Sequence, residues 1–134
     1  MHLKKALFTL ALVLPFAAQA GGTTHEVLVG QGGNAYVPAT LTIAAGDSVT
    51  FRQVAGFHNV ASQPGAITAF RCGPNGCDGV GGGNGEPGGG TWQQTVTFPD
   101  AGTANYLCDV HGQSMSGTII VNPVPVTLQS FDID

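Results

Sequence analysis

Lysine is absent from this chain after Lys5, and Arg52 and Arg71 are the only strongly basic side chains beyond that point. Eight carboxylates oppose them. The excess negative charge excludes nucleic-acid binding by phosphate neutralisation and suits a basic protein partner instead. Uninterrupted apolar runs of the ~20 residues that a membrane span needs are also missing; the one candidate, Ala6 to Ala18, is broken by Pro15. No segment ends in Gly-Lys-Ser/Thr before a helical pattern, so a phosphate-cradling loop is excluded. No convincing helical period occurs either. Methionine is scarce, with Met115 alone after the initiator, which argues against a protein that stores metal through clustered thioethers.

The N-terminus reads as a secretory signal: Met1-His2-Leu3-Lys4-Lys5 is basic, an apolar stretch follows, and Ala18-Gln19-Ala20 offers a small-residue cleavage site. Residues 1–20 are therefore set apart. No cysteine follows the cleavage site to take a lipid, and no membrane association is expected after cleavage. The remaining 114 residues make one domain with a modest core. A periplasmic or secreted location follows from this reading.

Short strand-like runs succeed one another from Thr24 onward: Thr24–Val29, Thr40–Ile43, Ser48–Arg52, Phe57–Ala61, Ile67–Phe70, Trp92–Phe98, Thr103–Cys108 and Gly117–Val121. Turn signals punctuate them, as at Ala44-Ala45-Gly46-Asp47 and Pro99-Asp100-Ala101-Gly102. The pattern predicts an all-β fold, an antiparallel Greek-key β-sandwich of seven to eight strands over residues 21–122. Between Gly79 and Gly90 eight of twelve residues are glycine, so this insert is expected to be a mobile loop that buries no apolar surface. Residues 123–134 form a tail that could add an edge strand or hang free.

Three cysteines in an exported chain leave one unpaired. Cys72 and Cys77 bracket Gly73-Pro74-Asn75-Gly76, a turn-forming stretch that brings them within disulfide range. In an oxidising compartment a disulfide is preferred there to a dithiolate metal site. Cys108 is then the free thiol. It lies in Cys108-Asp109-Val110-His111-Gly112-Gln113-Ser114-Met115, a Cys-x2-His-x3-Met run between two predicted strands, while His58 sits upstream in Gly56-Phe57-His58-Asn59-Val60. Singly, each residue has an ordinary explanation as a buried histidine, a small apolar thiol or a core filler. As a set, one thiolate, two imidazoles and a thioether make a blue-copper ligand set, expected to hold one type 1 copper ion through His58, Cys108, His111 and Met115. Gln113 is an alternative axial oxygen donor. His25 is expected to be exposed and without a role.

Ala39 to Phe51, Gly56 to Val60 and Tyr106 to Val121 resemble the small cupredoxins of the plastocyanin, pseudoazurin and amicyanin group. The likeness spans most of residues 24–122 and fails in the Gly-rich insert and the tail. It implies that His58, Cys108 and His111 are the strong equatorial ligands and Met115 the weak axial one. It also implies that Asn59 ties the two ligand-bearing loops together by hydrogen bonding. Two departures stand out: Val110 replaces the proline that many relatives carry before the second histidine, and the His-to-Met spacing is shorter than in plastocyanin and pseudoazurin. The resemblance implies a one-electron carrier, not an enzyme, that meets larger redox proteins near His111, where Ala55, Gly56, Val110 and Gly112 are uncharged. Such partners would present a basic surface, and the carrier itself is expected to be a monomer. The competing reading is a copper-binding protein for sequestration or delivery in the same compartment. A catalytic copper would need further histidines, and beyond the predicted signal only His25 is left over.

Overall fold

The computed structural model describes residues 22–125; the predicted signal (1–20) and the last part of the predicted tail (126–134) lie outside the described residues. Regular structure among these is all strand: β1 (Thr24–Val29), β2 (Tyr36–Val37), β3 (Thr40–Ala44), β4 (Ser48–Gln53), β5 (Val60–Ser62), β6 (Arg71–Gly73), β7 (Gly76–Cys77), β8 (Gln93–Thr97), β9 (Gly102–Cys108) and β10 (Gly112–Asn122). They form a four-stranded sheet in the order β2-β1-β4-β8 and a six-stranded sheet in the order β3-β10-β9-β5-β6-β7. No described helix is long and apolar enough to cross a membrane.

The expected sandwich is present, with ten strands because several two- and three-residue pieces pair. Two pairings, β1 with β4 and β3 with β10, run parallel within otherwise antiparallel sheets. The chain leaves the four-stranded sheet between β2 and β3 and returns to it between β3 and β4. Ala45 and Gly46 carry the chain from β3 in one sheet to β4 in the other, and Gly46 adopts φ 94°, a left-handed conformation that suits glycine. Asp47 closes the turn: its carboxylate accepts hydrogen bonds from the amides of Thr23 (2.8 Å) and Ala44 (3.0 Å), and pairs with the His25 ring at 2.8 Å. His25 is therefore half-buried and holds a turn, contrary to the expectation of an exposed residue without a role. These bonds, the one from His25 foremost, hold the Asp47 carboxyl below its ordinary pKa.

Two-residue alternation decides which side chains enter the core. In β4, Val49, Phe51 and Gln53 are buried. In β9 the inward set is Ala104, Tyr106 and Cys108; in β10 it is Met115, Gly117, Ile119 and Val121. Cys108 and Met115 thus end one inward row and begin another, both at the same end of the sandwich. Tyr36, Phe51, Phe70 and Tyr106 pack ring against ring beneath them, with centroids 4.7–5.9 Å apart. Burial of each such side chain contributes roughly 1.5–3 kcal/mol, enough to fix the strands that carry the ligands.

Three expectations need correction. The strand expected over Phe57–Ala61 starts only at Val60, so His58 lies before it and makes an isolated bridge to Gly88. Residues 67–70 form no strand: the Phe70 carbonyl accepts from the Ser62 amide (2.8 Å), but the Phe70 amide donates to the Ser62 hydroxyl (2.8 Å), a side chain in place of a ladder carbonyl. β6 begins at Arg71 and carries Cys72, which faces Cys77 of β7 across the hairpin and forms the expected disulfide with it. The Gly-rich insert does not hang free. Gly88 exchanges backbone hydrogen bonds with His58, Gly85 accepts from Asn59, and both glycines are buried. With so little apolar surface the segment is anchored by its backbone groups, a route that composition does not reveal.

Candidate metal centre

Three donor atoms converge at the end of the sandwich. His58 Nδ1 lies 3.3 Å from His111 Nδ1, and the Cys108 sulfur lies 3.9 Å from the first and 3.5 Å from the second. These are the described residues whose His, Cys or carboxylate atoms gather closely enough to share an ion. A point about 2.1 Å from all three atoms exists in their plane, and this matches the ~2.0–2.3 Å that imidazole nitrogen and thiolate sulfur keep to a first-row ion. The site therefore fits a metal with two nitrogen donors and one soft sulfur, the equatorial set that copper takes in electron-transfer proteins.

Each ligand is placed by a different device. Cys108 closes the inward row of β9 and is fully buried. His111 follows in a tight connection, because Gly112 pairs back with Cys108 and takes φ 57°. Between Gly112 and Ser116 β10 bulges: four steps along β10 answer one step along β9. The bulge absorbs the residues between His111 and the inward row that Met115 begins, and Ser114 Oγ donates to the His111 carbonyl at 2.6 Å. Met115 is 1% exposed, whereas Gln113 points to solvent. Burial favours the thioether over the amide as the axial donor. His58, Cys108, His111 and Met115 are together placed to bind one copper.

His58 arrives from the loop before β5 and is locked from several sides. Its amide donates to the Gly88 carbonyl and to Gln53 Oε1, both at 3.1 Å. Gly56 takes φ 88°, and a Cβ there would overlap the His58 ring. Burial, followed by the neighbouring His111, pulls the His58 imidazole below its ordinary pKa and so favours the neutral form that ligates metal.

Asn59 lies at the junction of the two ligand-bearing segments. Its Oδ1 accepts from the Asp109 amide (2.9 Å), and its Nδ2 donates to the Asp109 carboxylate (2.7 Å) and the Gly85 carbonyl (2.8 Å). The Tyr36 hydroxyl donates to the Asn59 carbonyl at 2.7 Å. Sequence reasoning passed over three further participants. Gln53 is fully buried, and its Nε2 donates to the carbonyls of Gly56, Gly88 and Gly90; the available signal was a polar residue at the inward position that extends Val49 and Phe51. Arg71 reaches Asp109, and no local pattern announced it. Phe57 is 54% exposed beside His58 and Val110 is 52% exposed beside His111; only Val110, with Ala55, Gly56 and Gly112, had been anticipated.

Residues 23–122 match the family described as copper binding proteins, plastocyanin/azurin family. The chloroplastic plastocyanin of Silene latifolia subsp. alba is 33% identical, the match covering 91% of this chain and 78% of the relative. The plastocyanin of Solanum crispum is 36% identical over 72% of this chain and 99% of its own length. Among solved structures, a Sinorhizobium pseudoazurin is 28% identical with a TM-score of 0.51, covering 75% of this chain and 74% of that one.

Proposed function

We propose, from the premise that the chain belongs to the plastocyanin/azurin family of copper-binding proteins, that it is an exported one-electron carrier working between larger redox proteins. The observation that carries this reading is the triangle of His58, Cys108 and His111 donors with buried Met115 beside it. Copper held there by His58, Cys108, His111 and Met115 would supply one-electron Cu(II)/Cu(I) chemistry between a reduced donor and an oxidised acceptor. The protein's part is to keep the donors still. Cys108 and Met115 are held by the sheet, and His58 is fixed by Gln53 and Gly88. A site that cannot rearrange suits both oxidation states.

Partners dock, in this reading, over the half-buried His111. Val110, Gly112, Ala55, Gly56 and Phe57 flank the two histidine ligands in sequence without charge, and their surfaces are exposed or half-exposed. A partner can come close there without stripping water from ions, and a small contact area favours quick release. The carboxylate excess acts at longer range and steers a basic partner before contact. The single Met115 and one ligand cluster among the described residues favour a carrier over a sequestration protein.

The test is to add Cu(II) to the protein lacking residues 1–20 and follow colour and reversible reduction. An intense blue band from thiolate-to-copper charge transfer is expected, lost in Cys108→Ser. A Cys108→Ser protein that keeps the full blue band would overturn the site.

A further inference from the structure

We propose that Arg71 is a positioning residue of the copper site: it clamps Asp109 beside Cys108 and balances that carboxylate's charge, so that the reduction potential of the centre depends on it. The inference rests on the electron-carrier reading above and extends it to a residue of the disulfide hairpin. Arg71 Nε donates to Asp109 Oδ2 at 2.8 Å, and the same guanidinium donates from Nη1 and Nη2 to Glu86 Oε1 at 3.1 Å and from Nη1 to Asp78 Oδ2 at 3.5 Å. One cation thus holds three carboxylates drawn from three segments: the residue after Cys108, the Gly-rich insert, and the residue after Cys77.

Two of those segments contact the ligand-bearing loops, and the third reaches them through the insert. Asp109 Oδ2 also accepts from Asn59 Nδ2 (2.7 Å), and Asn59 follows His58 in the chain. The insert that Glu86 anchors contributes Gly85, which accepts from Asn59, and Gly88, which pairs with His58. Asp78 Oδ1 accepts from the Gly85 amide, which closes the circuit. Arg71 is itself fixed by the β6–β7 hairpin, whose Cys72 pairs with Val60 in β5. The planar guanidinium fork is suited to this multiple contact in a way a lysine is not.

The electrostatic consequence follows from position. Asp109 places a negative charge one residue from the thiolate, and a negative charge favours the more positive, oxidised state of the centre. Arg71 offsets it. All three carboxylates are exposed, with the side chains of Asp78, Glu86 and Asp109 50%, 63% and 37% accessible, and water screens each; Asp109 differs in adjoining Cys108 and in sharing its Oδ2 between Arg71 and the buried Asn59. The Asp109 charge is therefore the one that Arg71 chiefly controls at the centre.

The experiment is protein-film voltammetry on the copper-loaded protein and on Arg71→Met, Arg71→Lys, Asp109→Asn and the Arg71→Met/Asp109→Asn double variant, with the visible spectrum of each. Arg71→Met should lower the potential and Asp109→Asn should raise it while keeping the hydrogen bonds to Asn59. The double variant should fall between them, and Arg71→Lys should lie nearer the native value than Arg71→Met. If Arg71→Met fails to fold or hold copper, Arg71→Gln, which keeps a donor but no charge, takes its place and should likewise lower the potential. Equal potentials in native and Asp109→Asn proteins, or shifts of the same sign in the two single variants, would overturn the proposal and leave Arg71 a surface tether. Absence of a blue centre in the native protein would instead overturn the electron-carrier reading.

Discussion

Replacing Asn59 with alanine tests whether one side chain couples the two halves of the metal site. Asn59 is fully buried, and its amide makes three hydrogen bonds: to the Asp109 carboxylate, from the Asp109 amide, and to the Gly85 carbonyl. A bond to a charged partner is worth ~2 kcal/mol, a neutral one ~1 kcal/mol, and a stranded polar partner adds a similar cost. A loss of at least ~4 kcal/mol is expected, against a total stability of roughly 5–15 kcal/mol for a domain of this kind. At ~4–8 °C per kcal/mol for a domain of about this length, the melting temperature should fall by more than about 15 °C. Calorimetry on the metal-free protein measures that fall without a contribution from metal binding. Hydrogen exchange adds a local readout, because the Asp109 amide should lose its protection. Ser62→Ala supplies the control: it removes two neutral bonds to Phe70 from β5, away from Asp109, and should cost ~2 kcal/mol without affecting the Asp109 amide. A protected Asp109 amide in Asn59→Ala, or a melting temperature within a few degrees of native, would refute the coupling.

Three other outcomes are expected. Voltammetry should find a raised potential in Met115→Leu, which removes the soft axial donor, and a lowered one in Met115→Gln, which supplies a harder oxygen; no shift in either would exclude Met115 as the axial ligand. Gly117→Ala should destabilise by about 1–3 kcal/mol in urea unfolding, because a Cβ there overlaps the ring of Tyr106, which Tyr36, Phe51 and Phe70 prevent from moving; native-like stability would show that the ring gives way. The Asp47 carboxyl is held below its ordinary pKa, so the stability it contributes is complete above the ordinary carboxylate range and disappears as pH falls through the depressed value. The gap between native and Asp47→Ala proteins should accordingly be widest near neutrality and shrink in acid, and a gap that widened on acidification would contradict the assignment.

Much of the site was legible because its chemistry is local. Cys108, His111 and Met115 fall within eight residues, and the spacing by itself brings three donors to one loop. Strand alternation then dictates that Cys108, two steps beyond Tyr106, faces inward with it. The Cys72–Cys77 pairing was legible for the same reason, since a four-residue turn leaves the cysteines few other geometries. The early strands were equally clear: Thr24–Val29 occupies its predicted residues, and Ser48–Arg52 is extended only to Gln53.

What the sequence could not determine was any relation that spans the chain and is made by backbone groups or long side chains. The Gly-rich insert looked like a free loop because glycine has no side chain to report a contact, yet its carbonyls accept from Gln53, Asn59 and His58. The parallel pairings depend on the chain crossing between sheets before and after β3, which no strand pattern encodes. Arg71 lies 38 positions from Asp109, and only the hairpin's place beside β5 brings them together. Local alternation and ligand spacing thus determined which residues face the metal. The sandwich decided how those residues are held, because hydrogen bonds between distant segments form only once both sheets have closed around the aromatic core.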